Sequence, residues 1–202
     1  MNRKILFSQF NNVPYFTKEN LLISAKRHLI PKATLNSYIQ RGVAKKELVS
    51  LKRNLYTTAH FFNANKSYFS YNYFVGNKLI EPSYISRESA LSYYGLLSEG
   101  NSLVTTLVTI KATRQFSNDL GIFDYNSIKK ELFTGYRIIE KEFSFVIAEP
   151  YKAIFDYLYY RLTLKELRNK DTVLKAIDEF RLDIEELEDN QLTKLFDLIK
   201  KL

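Results

Sequence analysis

The chain has 202 residues, of which 46% are hydrophobic and 26% are charged, which is typical of a folded globular protein with one large or two small domains. It contains no cysteine, which excludes disulfides, thiolate metal sites and a cysteine nucleophile. No apolar run reaches membrane-spanning length, and the basic N-terminus turns polar too soon for a signal peptide. We therefore expect a cytoplasmic protein that does not interact with a membrane.

The net charge of +8 is concentrated at one end of the chain. Residues 1–75 carry twelve Lys or Arg and two acids, residues 76–170 carry thirteen and eleven, and residues 171–202 carry five and nine. The first region therefore has a net charge of +10 and the tail one of −4. Such an excess attracts a polyanion, which for a cytoplasmic protein is usually nucleic acid.

The first region reads as three helices followed by a hairpin. Residues 5–10 suit a short amphipathic helix, and Thr17 suits the N-cap of a second. A third helix is predicted over about Ala33–Arg41, with Gly42 expected to end it. Two runs typical of strands, 48–51 and 55–58, are separated by a basic turn in which Asn54 tolerates a left-handed backbone.

This order of elements predicts a winged helix-turn-helix that binds double-stranded DNA. Leu35, Tyr38 and Ile39 share one side of the third helix, which leaves a polar side able to bond base edges in the major groove. The hairpin and the preceding loop would contact phosphates. The candidate DNA-binding residues are Lys32, Thr34, Asn36, Ser37, Gln40, Arg41, Lys45, Lys46, Lys52 and Arg53. Taken singly, the helix could be an ordinary solvated face and the turn an ordinary basic loop.

The remaining residues predict a mixed α/β domain, so the fold class is α+β, with domains at 1–65 and 66–202. Ser86 suits a helix N-cap, with Ile85 and Ala90 as a hydrophobic staple and Gly95 ending the helix. The other expected elements are a bridging helix at 68–79, strands at 103–110, 136–139 and 143–147, a hairpin around Gly121, and a helix at 150–161. Together they form an α/β core at 82–161, followed by an acidic helical tail at 171–202.

The sequence does not predict an active site. The two histidines, His28 and His60, suit solvated or capping positions, and no Asp-x-Lys or Glu-x-Lys tripeptide of a nuclease and no glycine-rich phosphate loop occurs. We therefore expect neither enzymatic activity nor a cofactor. A cluster of acids could bind a divalent metal, although a solvated helix face fits its spacing better; it comprises Asp183, Glu185, Glu186, Glu188 and Asp189. The 30 Tyr and Phe residues suit a core better than base-stacking platforms.

Several segments of the second region resemble the AbiEi family, the antitoxins of bacterial type IV toxin–antitoxin systems. The most specific is Pro82–Leu96, with the sequence PSYISRESALSYYGL. Further segments that resemble the family are Phe116, Gly121–Tyr125 (GIFDY), Ile128–Lys129, Phe133–Tyr136 (FTGY) and Ala148–Asp156 (AEPYKAIFD). The family usually carries Glu where this chain has Tyr151.

The resemblance implies a repressor of an antitoxin–toxin operon, which binds inverted repeats in the promoter through its winged helix. It also implies a C-terminal domain that counteracts a nucleotidyltransferase-like toxin, often in abortive-infection defence against phage. The motif residues of that domain would be Ser83, Tyr84, Ser86, Glu88, Tyr93, Tyr94, Lys152 and Asp156. Two alternatives remain: a ligand-responsive winged-helix regulator without a toxin, and a DNA-acting enzyme with carboxylates around a cleft.

Overall fold

The computed structural model describes residues 2–97, 103–185, 187 and 189–202. The chain divides into two units. Unit 1 comprises Met1–Asn72 and Asn118–Leu120, and unit 2 comprises Tyr73–Ser117 and Gly121–Leu202. The division therefore falls after residue 72, later in the chain than the one between residues 65 and 66 that the sequence predicts. None of the described helices is long and apolar enough to cross a membrane.

Unit 1 combines short helices with a three-stranded antiparallel sheet in the order β1-β3-β2. Its elements are α1 (Arg3–Ser8), β1 (Phe16–Thr17), α2 (Lys18–Arg27), α3 (Lys32–Ala44), β2 (Leu48–Lys52), β3 (Leu55–Thr58) and α4 (Ala59–Asn65). Strand β1 and helix α4 were not predicted from the sequence. The core that these elements enclose includes Leu6 and Phe7 of α1, Leu21 of α2, and Leu35 and Ile39 of α3.

Helix α2 begins with a capping box at Thr17, the residue that the sequence predicted as the N-cap. The Thr17 hydroxyl accepts a hydrogen bond from the Asn20 amide at 3.2 Å, and the Asn20 side chain accepts one from the Thr17 amide at 2.8 Å. These two bonds satisfy backbone donors that a helix start leaves free. The N-cap prediction at Thr17 is confirmed.

The prediction that Gly42 ends the third helix is wrong, because α3 continues to Ala44. Gly42 is buried inside the helix. A Cβ atom at this position would lie 2.6 Å from Cε2 of Phe7, closer than two carbon atoms can approach. The absence of a side chain therefore lets α3 pack against α1, which the local sequence could not reveal.

The division between the two units falls within helix α5 (Phe69–Leu79), and side chains of this helix form hydrogen bonds in each unit. In unit 1, the Tyr71 hydroxyl donates to the Pro14 carbonyl at 2.9 Å. In unit 2, Asn77 donates to the Ser83 carbonyl and accepts from the Val146 amide at 2.7 Å. A fragment of either unit therefore needs this helix to complete its own hydrogen bonds.

Unit 2 contains a six-stranded mixed sheet in the order β6-β7-β5-β4-β9-β8, which confirms the α+β fold class. β4 pairs antiparallel with β5 and parallel with β9, and β5 pairs parallel with β7. The elements are β4 (Ser83–Ile85), α6 (Arg87–Tyr93), β5 (Val104–Thr109), β6 (Arg114–Asn118), β7 (Gly121–Ser127), β8 (Tyr136–Ile139), β9 (Phe145–Ala148), α7 (Pro150–Tyr159), α8 (Leu164–Leu167), α9 (Lys170–Glu179) and α10 (Asp189–Ile199), with a 3₁₀ turn at Lys130–Leu132.

Ser86 occupies the N-cap position of α6 but makes no capping hydrogen bond, so the predicted role of its hydroxyl is wrong. That hydroxyl donates instead to Oδ2 of Asp156 at 2.7 Å. Gly95, with φ of +72°, closes the helix as predicted. The sequence analysis missed β4 and α8, which are only three and four residues long.

Candidate functional site

One side of α3 is buried in the core of unit 1 and the other is exposed. Leu35 and Ile39 face inward, whereas Ser37, Gln40 and Arg41 are exposed, as the helical spacing predicts. Asn36 differs from the prediction because it is half-buried, and its Oδ1 atom is buried without a hydrogen-bond partner among the described residues. The polar face that α3 presents to solvent is therefore narrower than the sequence indicated.

Cations flank this exposed face at both ends of the helix. Lys32 is the first residue of α3 and is exposed, while Thr34, two residues later, is half-buried. Lys45 is the C-cap residue, and Lys46 follows it with φ of +53°. Both of these lysines are exposed.

The β2–β3 hairpin has Arg53 and Asn54 in its turn. Asn54 has φ of +64°, which confirms the left-handed conformation expected for it. Arg53 is exposed at the turn, whereas Lys52 is the half-buried last residue of β2, paired with Leu55. The predicted basic turn is therefore formed by Arg53, with Lys52 immediately before it in the strand.

Glu47 is one of the two acids in residues 1–75, and Arg3 neutralises it. Two guanidinium nitrogens of Arg3 bind its two carboxylate oxygens at 2.6 and 2.9 Å. The hydrogen bond from Arg3 lowers the pKa of Glu47. Since this carboxylate is engaged within unit 1, it does little to offset the exposed cations of α3 and the hairpin.

Unit 2 contains a fully buried polar cluster formed by Tyr84 and Ser86 with Lys152 and Asp156 of α7. The Lys152 ammonium donates to Oδ1 of Asp156 at 2.6 Å. Oδ2 accepts from the Ser86 hydroxyl at 2.7 Å and from the Tyr84 hydroxyl at 3.0 Å. The structure thus brings together four of the residues that the family resemblance selected.

Burial shifts the ionisation of this cluster. It lowers the pKa of Lys152 and raises that of Asp156, and it also raises the pKa of Tyr84. The ring of Tyr84 stacks on Tyr136 at a centroid distance of 4.9 Å, and the ammonium lies 4.6 Å from the centroid of the Phe155 ring. Because Lys152 and Asp156 have no exposed area, the arrangement can fasten α7 to β4 but presents no group to a substrate.

The other motif residues lie outside this cluster. The buried Ser83 hydroxyl donates to the Ile80 carbonyl at 2.6 Å, and the Tyr94 hydroxyl donates to the Ala148 carbonyl at 2.9 Å. The ring of Tyr93 packs on Tyr94 and other aromatic rings. Glu88 instead faces a cavity, where Oε1 accepts from Arg161 at 2.5 Å.

No protein-family model matches the chain, and no curated protein does. The geometry of the two units is therefore the basis for any functional assignment beyond the sequence resemblance.

A group of arginines in unit 2 was not predicted from the sequence. Arg87, Arg161 and Arg181 line one cavity, although they are far apart in the chain and no local pattern joins them. Among the described residues, no three His, Asp or Glu side chains are close enough to hold a metal ion. The predicted acid cluster includes residues 186 and 188, which lie outside the described part of the chain.

Many of the aromatic side chains pack in the interior, as predicted. Phe16, Tyr71, Tyr84, Phe123 and Tyr125 are among the largest fully buried side chains. His28 is exposed, with Nε2 3.2 Å from the Gln9 amide nitrogen, and His60 is also exposed.

Proposed function

We propose that unit 1 is a winged helix-turn-helix that binds double-stranded promoter DNA. The observation that carries the proposal is the exposed side of α3, with Ser37, Gln40 and Arg41, next along the chain to an exposed basic hairpin turn. A helix of this kind fits the major groove, where amide and guanidinium groups can form paired bonds with purine edges. The β2–β3 hairpin is the proposed wing.

Electrostatics supports this assignment. The cations at Arg41, Lys45, Lys46 and Arg53 are exposed, and the nearby acid Glu47 is already bound to Arg3. A DNA duplex offers phosphates to such cations and releases counterions when they bind. The burial of Leu35 and Ile39 fixes the opposite side of α3 in the core, so the helix presents its polar side on a rigid base.

We further propose that the whole protein is an antitoxin of a type IV toxin–antitoxin system. The support for this part is the resemblance of Pro82–Leu96 and Ala148–Asp156 to the AbiEi family. In this proposal, unit 1 represses the operon by binding inverted repeats, and unit 2 counteracts a nucleotidyltransferase-like toxin. The protein itself would be cytoplasmic and without enzymatic activity.

The test of DNA recognition compares two amide variants of the full-length protein. Gln40→Ala should weaken binding to the DNA upstream of the gene by about 1–3 kcal/mol while sparing unrelated DNA, because a base contact discriminates by that amount. Asn12→Ala removes an exposed amide outside α3 and should change binding to neither DNA. Mobility shifts on both DNAs measure the effect. Equal losses on the two DNAs would show that α3 does not read bases.

The antitoxin proposal is tested by co-expressing the full-length protein with the product of the neighbouring gene. The double variant Gln40→Ala/Arg41→Ala should lose repression of the promoter but still restore growth, because both changes lie in unit 1. A reporter fused to the promoter follows repression in the same cells. Loss of protection together with loss of repression would show that the toxin is counteracted only through DNA binding.

A further inference from the structure

Unit 2 encloses a cavity of about 650 Å³ that none of the roles described above uses. Among the described residues, the charged side chains that line it are Arg87, Arg161 and Arg181 with Glu88 and Asp124. Three guanidinium groups and two carboxylates are among these residues, so the described part of the lining has a net positive charge. Its size falls in the range of small-molecule sites.

Two of the arginines are held in place by neighbouring groups. The guanidinium of Arg161 lies 3.6 Å from the ring centroid of Tyr157 and donates to the backbone carbonyl of Tyr157 at 3.1 Å. Arg87 lies 3.3 Å from Oδ2 of Asp124 and also donates to Asn126. A preorganised guanidinium loses less freedom when it binds an anion.

Glu88 stands between these two arginines. Burial alone would raise its pKa, but the charge of Arg87 and the hydrogen bond from Arg161 lower it, so the carboxylate is ionised at neutral pH. Its Oε2 is buried 3.3 Å from Nε of Arg87, yet neither atom has a hydrogen-bond partner among the described residues. The side chain of Glu88 keeps 28% of its area exposed. Its Oε1 atom, which accepts from Arg161, can accept a second hydrogen bond from the hydroxyl group of a ligand.

Arg181 supplies the remaining cation. It is exposed, has φ of +53°, and forms no ion pair with another described residue. It follows α9, whereas Arg161 follows α7, so the two guanidinium groups approach from different elements. A phosphate monoester carries a charge of about −1.5 to −2 at pH 7, which suits two guanidinium groups better than the single charge of a carboxylate does.

We propose that this cavity binds a small phosphate monoester whose organic part carries hydroxyl groups, such as a sugar phosphate or a nucleotide. Arg181 and Arg161 bind the phosphate, and Oε1 of Glu88 accepts a hydrogen bond from a hydroxyl group. The proposal concerns unit 2 alone and does not depend on DNA binding by unit 1.

Calorimetric titration of the full-length protein tests the proposal with defined probes. The phosphate probes are ribose 5-phosphate and the four ribonucleoside 5′-monophosphates. The comparison probes are the four nucleosides, inorganic phosphate and glucuronate. At least one phosphate ester should bind, and more tightly than every comparison probe. The ester that binds best distinguishes a sugar phosphate from a nucleotide.

Variants place the binding in the cavity. Arg181→Gln should weaken the best ester about tenfold or more, as expected when a charge-assisted hydrogen bond is lost. Arg114→Gln removes an exposed arginine of β6 outside the cavity and should bind like the wild type. The proposal is overturned if no ester binds, if inorganic phosphate or glucuronate binds as tightly as the esters, or if the Arg181→Gln and Arg114→Gln variants bind alike.

Discussion

The two units differ in the exposure and pairing of their charged side chains. In unit 1 the cations of α3 and the hairpin turn are exposed, and the acid nearest to them in the chain, Glu47, is bound by Arg3. In unit 2 the central charges are buried or paired with each other, as in the Lys152–Asp156 pair. Charge that is balanced internally holds a fold together, whereas unbalanced exposed charge is available to a partner. The buried Lys152–Asp156 pair of unit 2 therefore contributes to stability, whereas the exposed cations of unit 1 are the groups that we propose bind DNA.

The largest expected effect is on the stability of unit 2. Asp156→Asn leaves the Lys152 ammonium buried without its counter-charge, and should destabilise the protein by about 3–5 kcal/mol. Chemical denaturation followed by circular dichroism measures this loss. The matched control is the double variant Lys152→Met/Asp156→Asn.

The double variant should lose less stability than Asp156→Asn alone, because it buries no unpaired charge. If the double variant were less stable than Asp156→Asn alone, the unpaired charge of Lys152 would not be the reason for the loss of stability.

In unit 1 the expected loss arises from packing rather than from charge. Gly42→Ala places a methyl group against the Phe7 ring, and should destabilise by about 1–3 kcal/mol. Helix propensity alone favours alanine over glycine by about 1 kcal/mol, so a net loss of stability shows that the steric contact outweighs it. Thermal unfolding measures the difference, and Phe7→Leu/Gly42→Ala should recover part of it. A stabilising Gly42→Ala would contradict the contact between α1 and α3.

An effect of similar size separates the two residues at N-cap positions. Thr17→Asn should be nearly neutral, because asparagine caps helices well. Ser86→Asn should cost about 1–3 kcal/mol, because it removes the hydroxyl that donates to the buried Asp156 carboxylate. Denaturant unfolding of both variants gives the comparison. If the two substitutions changed the free energy of unfolding equally, Ser86 would act as an ordinary helix cap.

The features that the sequence predicted correctly depend on neighbours in the chain. The N-cap at Thr17, the left-handed Asn54 and the alternation of buried and exposed residues along α3 follow from local spacing. The failures depend on contacts between distant residues. Helix α3 continues through Gly42, which packs against Phe7. The Ser86 hydroxyl donates to Asp156, 70 positions away in the chain.

The candidate sites also combine features that local spacing predicts with features that depend on distant residues. The exposed polar side of α3 could be read from its periodicity, although the partial burial of Asn36 could not. The arginines of the unit 2 cavity come from the start of α6, the residues after α7 and the residues after α9. Only the sheet and the helices packed on it bring them together, so no sequence pattern marks them.

The salt dependence of DNA binding tests the central claim, that the exposed cations of unit 1 bind phosphates. The variant Lys46→Gln/Arg53→Gln should flatten the slope of log affinity against log salt concentration by about 1.8, since each lost phosphate contact removes about 0.9. The control Lys26→Gln/Lys66→Gln removes the same charge from α2 and the end of α4 and should keep the wild-type slope. Equal slopes for the two double variants would contradict the assignment of the loop after α3 and the hairpin turn to the DNA interface.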